Sequence, residues 1–436
     1  MNYLICLRDL EYGGTPTFYV SLARELVGRG HKVVFASSGG PLQGAIKPIC
    51  HHRTFSAFGR ESSMAYVISN RLMSEARRAV LVHLYPDLAD ALRIERKDLK
   101  YVIHQVARRS QAKVVLHERC RGTLGLVASV PKLRQIIDTE SIDAVFCSQA
   151  SPTLIACLAS HWARSQPVFV PVVAGFSVCG DLFPPLGWQQ VTRSAHRVVA
   201  LTHEIGVHLV NLAGVPQSKL VVAPNAIDTQ RFQPWASSDD LRSELGIPPQ
   251  DQVIVHVSSL VSQALPMALS VVEAFEQVLR ACRDTTLAIV GGGNAFGEVE
   301  KRASTLNQSQ GRSAIIMLGN QDTLLPGILS MGKLAIGVGR CAREAMACGR
   351  PVIVSGLTGY AGVVSEENIE KVAATNFTGR RFDVAPKADR LAADIINLLR
   401  NEHRCDELGS FSRGYIETHD SIEMAADLFQ LLATGN

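Results

Sequence analysis

The sequence predicts an α/β protein built from two doubly wound, Rossmann-like domains. Short apolar runs rich in Val and Ile alternate with helical patterns along the chain, which is typical of parallel sheets covered by helices on both faces. The pattern occurs in both halves of the sequence. Because single cores rarely grow beyond roughly 250 to 300 residues, a chain of 436 residues favours two domains.

The first half contains a series of candidate strands, and together they predict an N-terminal domain over residues 1–228. The apolar runs lie near Tyr3 to Leu7, Lys32 to Ala36, Ala79 to His83, Tyr101 to His104, Val114 to His117, Ala144 to Cys147, Val168 to Val173 and Arg197 to Leu201. The segments between them are long enough to hold the helices that parallel strands need as crossovers.

The second half repeats the arrangement and predicts a second domain over residues 229–414. Its runs lie near Val253 to Val257, Thr286 to Val290, Ala314 to Leu318, Leu334 to Ile336 and Val352 to Val354. A turn-rich connector at Pro224 to Pro234 separates the halves. A last helix, about 415–436, carries apolar residues at helical spacing, and we expect it to pack back on the first domain.

The most informative segment is Gly337 to Gly356, GVGRCAREAMACGRPVIVSG, which predicts a glycine loop, a short helix and a buried strand. Gly337 and Gly339 permit a ligand to approach the backbone closely. The free N–H groups of a helix N-terminus attract phosphate oxygens. Glu344 lies one turn into the helix and can accept hydrogen bonds from vicinal hydroxyls such as those of a ribose. The segment therefore predicts a sugar-nucleotide site, although a solvated helix acid is the alternative for Glu344.

Two more glycine loops lie where ligands bind in doubly wound domains, after the carboxyl ends of strands. Gly13 and Gly14 follow the first strand and precede a helix, while Gly291, Gly292 and Gly293 close a strand of the second domain. We predict that these glycines contact the donor. The alternative in each case is a tight turn without a ligand.

Four segments together resemble the retaining GT-B glycosyltransferases of family 4 type, also called glycosyl transferases group 1. The string at Gly337 resembles that family's EAMAxGxPVV signature. The other segments are Gly13 to Ser37, Lys219 to Pro234 and Gly359 to Arg380. The resemblance implies two Rossmann-like domains that face a central cleft, a last helix that returns to the first domain, and Gly359 as a further donor contact. It also implies metal-independent transfer of a sugar, with retention, from a nucleotide diphosphate sugar to a hydroxyl acceptor.

Several positions depart from the family pattern. Ser259 and Ala264 occupy the places of an Arg and a Lys that usually neutralise the donor diphosphate, and Ile336 occupies the place of a first Glu. Arg340 directly follows the glycine loop, at a helix start where a cation is unfavourable unless an anion lies nearby. We therefore predict Glu344 and Arg340 as catalytic residues, with Arg340 making a bidentate diphosphate contact. A surface arginine paired with a neighbouring acid is the alternative.

The departures leave two other functions open. A catalytically silent GT-B homologue can serve as partner or scaffold subunit of an active glycosyltransferase, and it would need neither the Gly13–Gly14 loop nor Glu344. A sugar-nucleotide epimerase on the same architecture would be expected to carry more acids and histidines in the cleft. The sugar, the base and the acceptor are not specified by the sequence.

Composition and charge restrict the partners. The net charge of +4 is too small to indicate nucleic acid binding, and no run of 18 apolar residues indicates a membrane span. No basic region precedes the apolar start, so we expect a cytoplasmic protein without a cleaved signal peptide. Between Arg93 and Arg134, eleven Lys and Arg face three acids. This stretch is either a solvated face or a contact for an anionic membrane surface or a lipid-linked acceptor. The histidines show no metal-binding spacing, so neither a metal nor a cofactor is expected.

Overall fold

The structure is a computed structural model that describes residues 1–55, 129–174, 191–223, 225–357 and 359–435. The chain forms two compact units, one made of Met1–Ala223 and Ala426–Asn436 and the other of Pro224–Ala425. Three predicted strands, near Ala79, Tyr101 and Val114, lie outside the described residues. So does the basic stretch from Arg93, apart from its end at 129–134.

In the described part of the first unit, the strands form one parallel sheet with the order β3-β2-β1-β4-β5-β6-β7. The strands are β1 (Asn2–Cys6), β2 (Lys32–Ser37), β3 (His51–Thr54), β4 (Ala144–Ser148), β5 (Val168–Val173), β6 (Val198–Ala200) and β7 (Leu220–Val222). The pairings between these described strands are all parallel, and in β1 and β2, for example, Asn2 is opposite Lys32. The order reverses direction between β1 and β4, as in other doubly wound sheets.

Helices cover this sheet. They are α1 (Gly14–Gly28), α2 (Gln43–Ile46), α3 (Ala150–Trp162), α4 (His203–Ala213) and the second half of the last helix of the chain. Residues 129–139 are also helical. The last helix contributes Phe429, which is fully buried and packs against the rings of Phe18 and Phe146.

The second unit contains a sheet with the order β10-β9-β8-β11-β12-β13. Its strands are β8 (Gln252–Val257), β9 (Thr285–Val290), β10 (Ile315–Gly319), β11 (Leu334–Ile336), β12 (Val352–Ser355) and β13 (Tyr360–Val363). All pairings are parallel except that of β13, which runs antiparallel to β12. Both sheets confirm the predicted α/β, Rossmann-like fold class.

The second sheet is buried on both faces. Its helices are α5 (Asp239–Glu244), α6 (Leu265–Ala281), α7 (Phe296–Gln310), α8 (Leu325–Met331), α9 (Arg340–Ala347), α10 (Ile369–Ala373), α11 (Ala388–Arg400) and α12 (Glu402–His419). The last helix of the chain, α13 (Ile422–Ala433), begins in this unit and passes into the first unit at Ala426. Ile254 faces one apolar core and Val255 the other. This explains why the strands are continuous apolar runs rather than alternating ones.

The chain crosses between the units at positions that differ from the predicted bounds. The first crossing is at 223–224 rather than 228–229, and the return is at 425–426 rather than near 415. The reason is local hydrogen bonding within the second unit. Ile227 N donates to Asp420 O at 2.8 Å, and Ile422 N donates to Ile227 O at 2.9 Å. These bonds keep the connector and the end of α12 with the second sheet.

Three of the described strands, β3, β7 and β13, were not predicted from the sequence. In β3, His51–Thr54 has no apolar residue, and only His52 of the four is less than exposed. β7 is a three-residue strand within the connector-like segment at Lys219. In β13 the glycine at 362 has a φ of 73° and interrupts the apolar pattern. Each of these strands lies at or next to an edge, where burial and therefore apolar content are lowest.

Candidate functional site

The candidate site lies at the carboxyl edge of the second sheet, where the loops after neighbouring parallel strands meet. The loop after β11 is Gly337–Gly339, and the loop after β9 begins at Gly291. The loop after β8 is joined to the β9 loop, because Leu260 N donates to Gly292 O at 2.9 Å. The glycine segments that the sequence separates by about 45 residues therefore belong to one edge of one sheet.

The helix α9 starts at this edge with its N-terminus uncapped. Gly339 is the N-cap residue, has no side chain to accept a hydrogen bond, and adopts a φ of 61° that favours glycine. Its own N–H donates to Phe377 O at 3.1 Å. The N–H groups of the first turn therefore have no side-chain cap and carry the positive end of the helix dipole.

Glu344 and Arg340 form a buried ion pair on α9. Arg340 Nε donates to Glu344 Oε1 at 2.8 Å, and the side chains are only 5% and 6% exposed. Burial raises the pKa of the Glu344 carboxyl from its ordinary value, and the positive charge of Arg340 opposes that change. Burial likewise lowers the pKa of the Arg340 guanidinium, opposed by Glu344. The pair is thus strongly desolvated, and Glu344 is not a solvated helix acid.

Arg340 is held by the connector as well as by Glu344. Its Nη1 donates to Ala226 O at 2.8 Å and to Asn225 Oδ1 at 3.3 Å. Its Nη2 is buried and has no hydrogen-bond partner among the described residues. The anion that the helix dipole requires beside Arg340 is therefore supplied by Glu344. A bidentate contact with a diphosphate would require Arg340 to release one of these partners.

A second pair of charges lies close to the first. Arg231 Nη2 donates to Asp322 Oδ1 at 2.8 Å and also to Asp322 O. Both residues act electrostatically on the Glu344 carboxyl, Arg231 lowering its pKa and Asp322 raising it. These two ion pairs therefore contribute two cations and two anions, with no excess of either sign.

Packing requires glycine at 291 and 359 but not at 292. A Cβ atom on Gly291 would lie 1.8 Å from Ser258 O, and one on Gly359 would lie 2.2 Å from Gly379 O. A Cβ atom on Gly292 would lie 2.8 Å from Asn320 Nδ2, the end of a side chain that can move aside. Gly291 and Gly359 therefore have a structural reason to be present, and donor contact by any of the three glycines stays a prediction.

Gly337 and Gly13 differ from that group. The nearest atoms to a Cβ on Gly337 would be at 3.5 Å, and for Gly13 the nearest would be at 3.8 Å. Gly13 has an extended backbone with a φ of 176°, which any residue adopts, and Gly14 begins α1. Packing does not require glycine at 13 or 337, and donor contact by these two glycines stays a prediction.

Two further buried groups were not found from the sequence. Arg343, only 1% exposed, pairs through Nε with Asp420 Oδ2 at 2.6 Å. His256 on β8 is fully buried; its Nδ1 bonds Ile336 O at 3.1 Å, while Nε2 has no partner among the described residues. No signal in the sequence separated Arg343 from Arg340 and Glu344, the other charged residues of α9.

Two family profiles match the chain over most of its length. The profile described as Glycosyl transferases group 1 matches residues 237–414, and that described as Glycosyltransferase Family 4 matches residues 80–231. The matches meet close to the boundary between the two structural units and agree with the site at α9. The chain belongs to the group 1 glycosyltransferases of the GT-B fold.

Curated group 1 relatives are distant. D-inositol 3-phosphate glycosyltransferase of Nocardia farcinica is 25% identical over 238 residues, which cover 51% of this chain and 49% of that protein. N-acetyl-alpha-D-glucosaminyl L-malate synthase of Bacillus anthracis is 25% identical over 305 residues, which cover 66% of this chain and 73% of that protein. The chain therefore spans about half the length of the Nocardia relative.

The fold of the group 1 glycosyltransferases is also found by structural comparison. Anabaena HepE, solved in complex with UDP and glucose, superimposes with a TM-score of 0.64 at 13% sequence identity, and the match covers 100% of both chains. At this identity the comparison supports the fold alone.

In this group 1 glycosyltransferase, the three substituted positions have different surroundings. Ser259 is exposed, and Ala264 is half-buried just before α6. Ile336 is 1% exposed and belongs to the apolar core beside β8. The structure therefore places no charged side chain at any of the three.

Within residues 1–55, 129–174, 191–223, 225–357 and 359–435, no three His, Cys, Asp or Glu side chains are grouped to hold a metal ion. No helix in those ranges combines the length and the apolar character needed to cross a bilayer. Metal independence stays a prediction.

Proposed function

We propose that this protein transfers a sugar from a nucleotide diphosphate sugar to a hydroxyl acceptor, with retention of anomeric configuration and without a metal. The observation that carries the proposal is the buried Glu344 carboxylate at the uncapped N-terminus of α9. A buried carboxylate is costly unless it is well partnered. Among the described residues, hydrogen bonds reach Oε1 of Glu344 but not Oε2, so Oε2 is available to accept from ribose hydroxyls.

The phosphates of the donor would lie against the N–H groups at the start of α9. Backbone N–H groups there carry partial positive charge and need no reorganisation when negative charge develops on the leaving diphosphate. Arg340 adds a formal positive charge, and its Nη2 is the nitrogen not engaged by Glu344 or the connector. The two features together replace the cations that Ser259 and Ala264 do not supply.

Retention follows most economically from attack on the face that the leaving group vacates. The acceptor oxygen forms a bond to the anomeric carbon as the bond from that carbon to the phosphate oxygen breaks, and the hydroxyl proton passes to the leaving phosphate. Ile336 is apolar and buried, so it offers no carboxylate nucleophile. The acceptor hydroxyl oxygen becomes the glycosidic oxygen of the product, and the nucleoside diphosphate carries the proton away.

The acceptor is proposed to be a hydroxyl compound that is anionic or lipid-linked. The names of the two curated relatives contain inositol 3-phosphate and malate, both anionic hydroxyl compounds. The basic stretch from Arg93 to Arg134 offers the complementary charge. Co-sedimentation with vesicles tests the lipid surface: binding to anionic but not neutral vesicles, fading as salt rises, supports peripheral attachment. Binding that ignores lipid charge and salt would reject it.

The decisive experiment is calorimetric titration of the protein with UDP, GDP and ADP, followed by incubation of the matching sugar nucleotides with hydroxyl acceptors and product analysis by mass spectrometry. Binding of a nucleoside diphosphate and formation of a glycoside with retained configuration, in the presence of EDTA, is the expected result. Arg340→Ala should weaken binding of the nucleoside diphosphate about tenfold more than binding of the nucleoside, since only the former presents phosphates. Equal losses of affinity for the nucleoside diphosphate and the nucleoside would show that Arg340 does not contact the phosphates.

The second candidate is a catalytically silent scaffold, and the uncharged residues at 259, 264 and 336 favour it. The variant with Ser259→Arg and Ala264→Lys separates the two. If only that variant binds sugar nucleotides, the natural protein is a scaffold. If the wild type binds and turns over a donor, the scaffold is excluded. If neither protein binds, the donor site is lost and the transferase proposal fails.

A further inference from the structure

Arg343 is a buried arginine whose contacts converge on one loop. Its Nε donates to Asp420 Oδ2 at 2.6 Å, and its Nη1 donates to Asn376 Oδ1. Its guanidinium lies 4.4 Å from the centroid of the Phe377 ring, within the range of a cation–π contact. The side chain is therefore held by a charge, an amide and an aromatic face at once.

The loop that Arg343 contacts has an unusual backbone. Asn376 and Phe377 both have a φ of 55°, in the left-handed region that residues other than glycine rarely adopt. Asn tolerates that region, but for a bulky residue such as Phe it is an outlier that persists only when the surroundings enforce it. Here backbone hydrogen bonds close the turn, from Asn376 N to Ala373 O and from Phe377 N to Val372 O, both at 2.9 Å. Arg343 adds the contacts with the side chains, since it bonds Asn376 Oδ1 and stacks on the buried ring of Phe377.

The strained loop in turn holds the start of α9. Phe377 O accepts the N–H of Gly339 at 3.1 Å. Gly339 is the N-cap of α9 and has a φ of 61°. A chain of contacts therefore leads from Asp420 through Arg343 and the Asn376–Phe377 turn to the loop that precedes the helix N-terminus.

Stability alone does not account for this arrangement. A buried ion pair is weak as a source of stability, because the desolvation cost of its charges offsets their attraction, and apolar replacements of similar volume are often neutral. The neighbours of Arg343 on α9, Ala342, Ala345 and Met346, are all core residues. An apolar residue at 343 would therefore suit the helix, and the arginine has a different reason to be there.

We infer that Arg343 is a positioning residue, which acts through Asp420 and the Asn376–Phe377 turn to hold Gly337–Gly339 and the first turn of α9 in the geometry that receives the donor phosphates. The inference rests on the proposed function for its ligand. The rigidity of the loop is a property of the protein alone and is measurable without any ligand.

The test removes both charges together, so that neither is left buried and unpaired. The variant carries Arg343→Leu and Asp420→Leu. A matched control carries Arg312→Leu and Asp251→Leu, which removes another ion pair of the same unit, with Nη1 2.6 Å from Oδ2. Asp251 precedes β8 and so belongs to the amino edge of the sheet. Backbone hydrogen exchange by mass spectrometry is followed in the peptide that contains residues 337–344, and unfolding temperatures are measured for each protein.

We expect amide exchange in that peptide to rise about tenfold in the Arg343–Asp420 variant at an unfolding temperature close to that of the wild type, and not in the control. The dissociation constant for the nucleoside diphosphate that the wild type binds should rise about tenfold as well. Wild-type exchange in a stably folded variant would overturn the inference. If the wild type binds no nucleotide but exchange still rises in the variant, the rigid loop stands and the proposed function fails.

A second variant keeps the test decisive if the double variant does not fold. Asn376→Gly retains access to a positive φ and removes only the Oδ1 contact with Arg343. Exchange at 337–344 should rise in this variant too, by less than in the double variant. Arg343→Lys keeps the charge opposite Asp420 but lacks the planar fork, so it should give an intermediate value. Unchanged exchange in both variants would again overturn the inference.

Discussion

Two buried ion pairs involve arginines of the same short helix, α9, and they differ in the hydrogen bonds that these arginines make. In the pair Arg343–Asp420, the arginine also bonds Asn376 and stacks on Phe377. In the pair Arg340–Glu344, one guanidinium nitrogen is buried without a partner among the described residues. A buried polar group without a hydrogen-bond partner calls for an explanation. The difference supports the proposal that Arg340 and Glu344 contact a ligand and the inference that Arg343 is a positioning residue.

The largest expected effect on stability comes from removing one partner of the Arg343–Asp420 ion pair. Asp420→Ala leaves the charge of Arg343 buried and uncompensated, and such a loss costs about 3 to 5 kcal/mol of the free energy of unfolding. Denaturation in urea, followed by circular dichroism, measures it. The control is Asp427→Ala, since Asp427 pairs with Arg29 but is 73% exposed, and it should cost less than about 1 kcal/mol. Equal costs for the two variants would show that Arg343 is not dependent on Asp420.

His256 is another buried group with an atom, Nε2, that has no hydrogen-bond partner among the described residues. Its protonation makes the stability of the fold depend on pH. Burial lowers the pKa of His256 to about 4, while its Nδ1 bonds Ile336 O. In the unfolded chain the imidazole takes up a proton near pH 6.5, but the folded protein resists protonation until about pH 4. Stability from the neutral imidazole is therefore complete above pH 6.5 and is lost as pH falls to about 4, by up to about 3 kcal/mol.

The measurement for His256 is the free energy of unfolding at several pH values between 7 and 4. His256→Phe should lose stability less steeply with falling pH than the wild type does. The control His403→Gln changes a side chain that is 84% exposed, and it should follow the wild-type profile. Parallel profiles for all three proteins would contradict the assignment of a buried neutral imidazole.

The sequence predicted some of these features and not others, for identifiable physical reasons. Strands β5 and β11 coincide with their predicted bounds, because burial on both faces makes them uninterrupted apolar runs. The dipole of α9 correctly required an anion beside Arg340, but the sequence could not tell whether a ligand or Glu344 supplied it. The spacing of four residues on a helix was the available signal for the pair. The contacts of Arg343 could not be predicted from the sequence, since Asn376 and Asp420 come near it only through tertiary folding.

Substitution of Glu344 tests the Arg340–Glu344 pair. Glu344→Ala should weaken binding of a nucleoside diphosphate by about 1.5 to 3 kcal/mol, the scale of hydrogen bonds to a charged group. Calorimetric titration measures the loss, and circular dichroism confirms that the fold is intact. Glu298→Ala is the matched control, because Glu298 is an exposed acid in the first turn of α7, which follows the other glycine loop. Unchanged affinity in a folded Glu344→Ala protein would show that Glu344 does not bind the ribose.

The smallest effect on stability is expected at Gly337, and it separates a ligand role from a packing role within one loop. A Cβ atom at 337 would meet its nearest neighbours at 3.5 Å, so Gly337→Ala should change the free energy of unfolding by no more than about 0.5 kcal/mol. If the donor approaches the backbone there, the added methyl group should still weaken nucleoside diphosphate binding. Gly291→Ala reverses the pattern, because its Cβ would lie 1.8 Å from Ser258 O and its φ is 135°, so the fold itself should be destabilised. Thermal unfolding and titration of both variants distinguish the two roles, and a Gly337→Ala protein with wild-type affinity would leave that glycine without a ligand role.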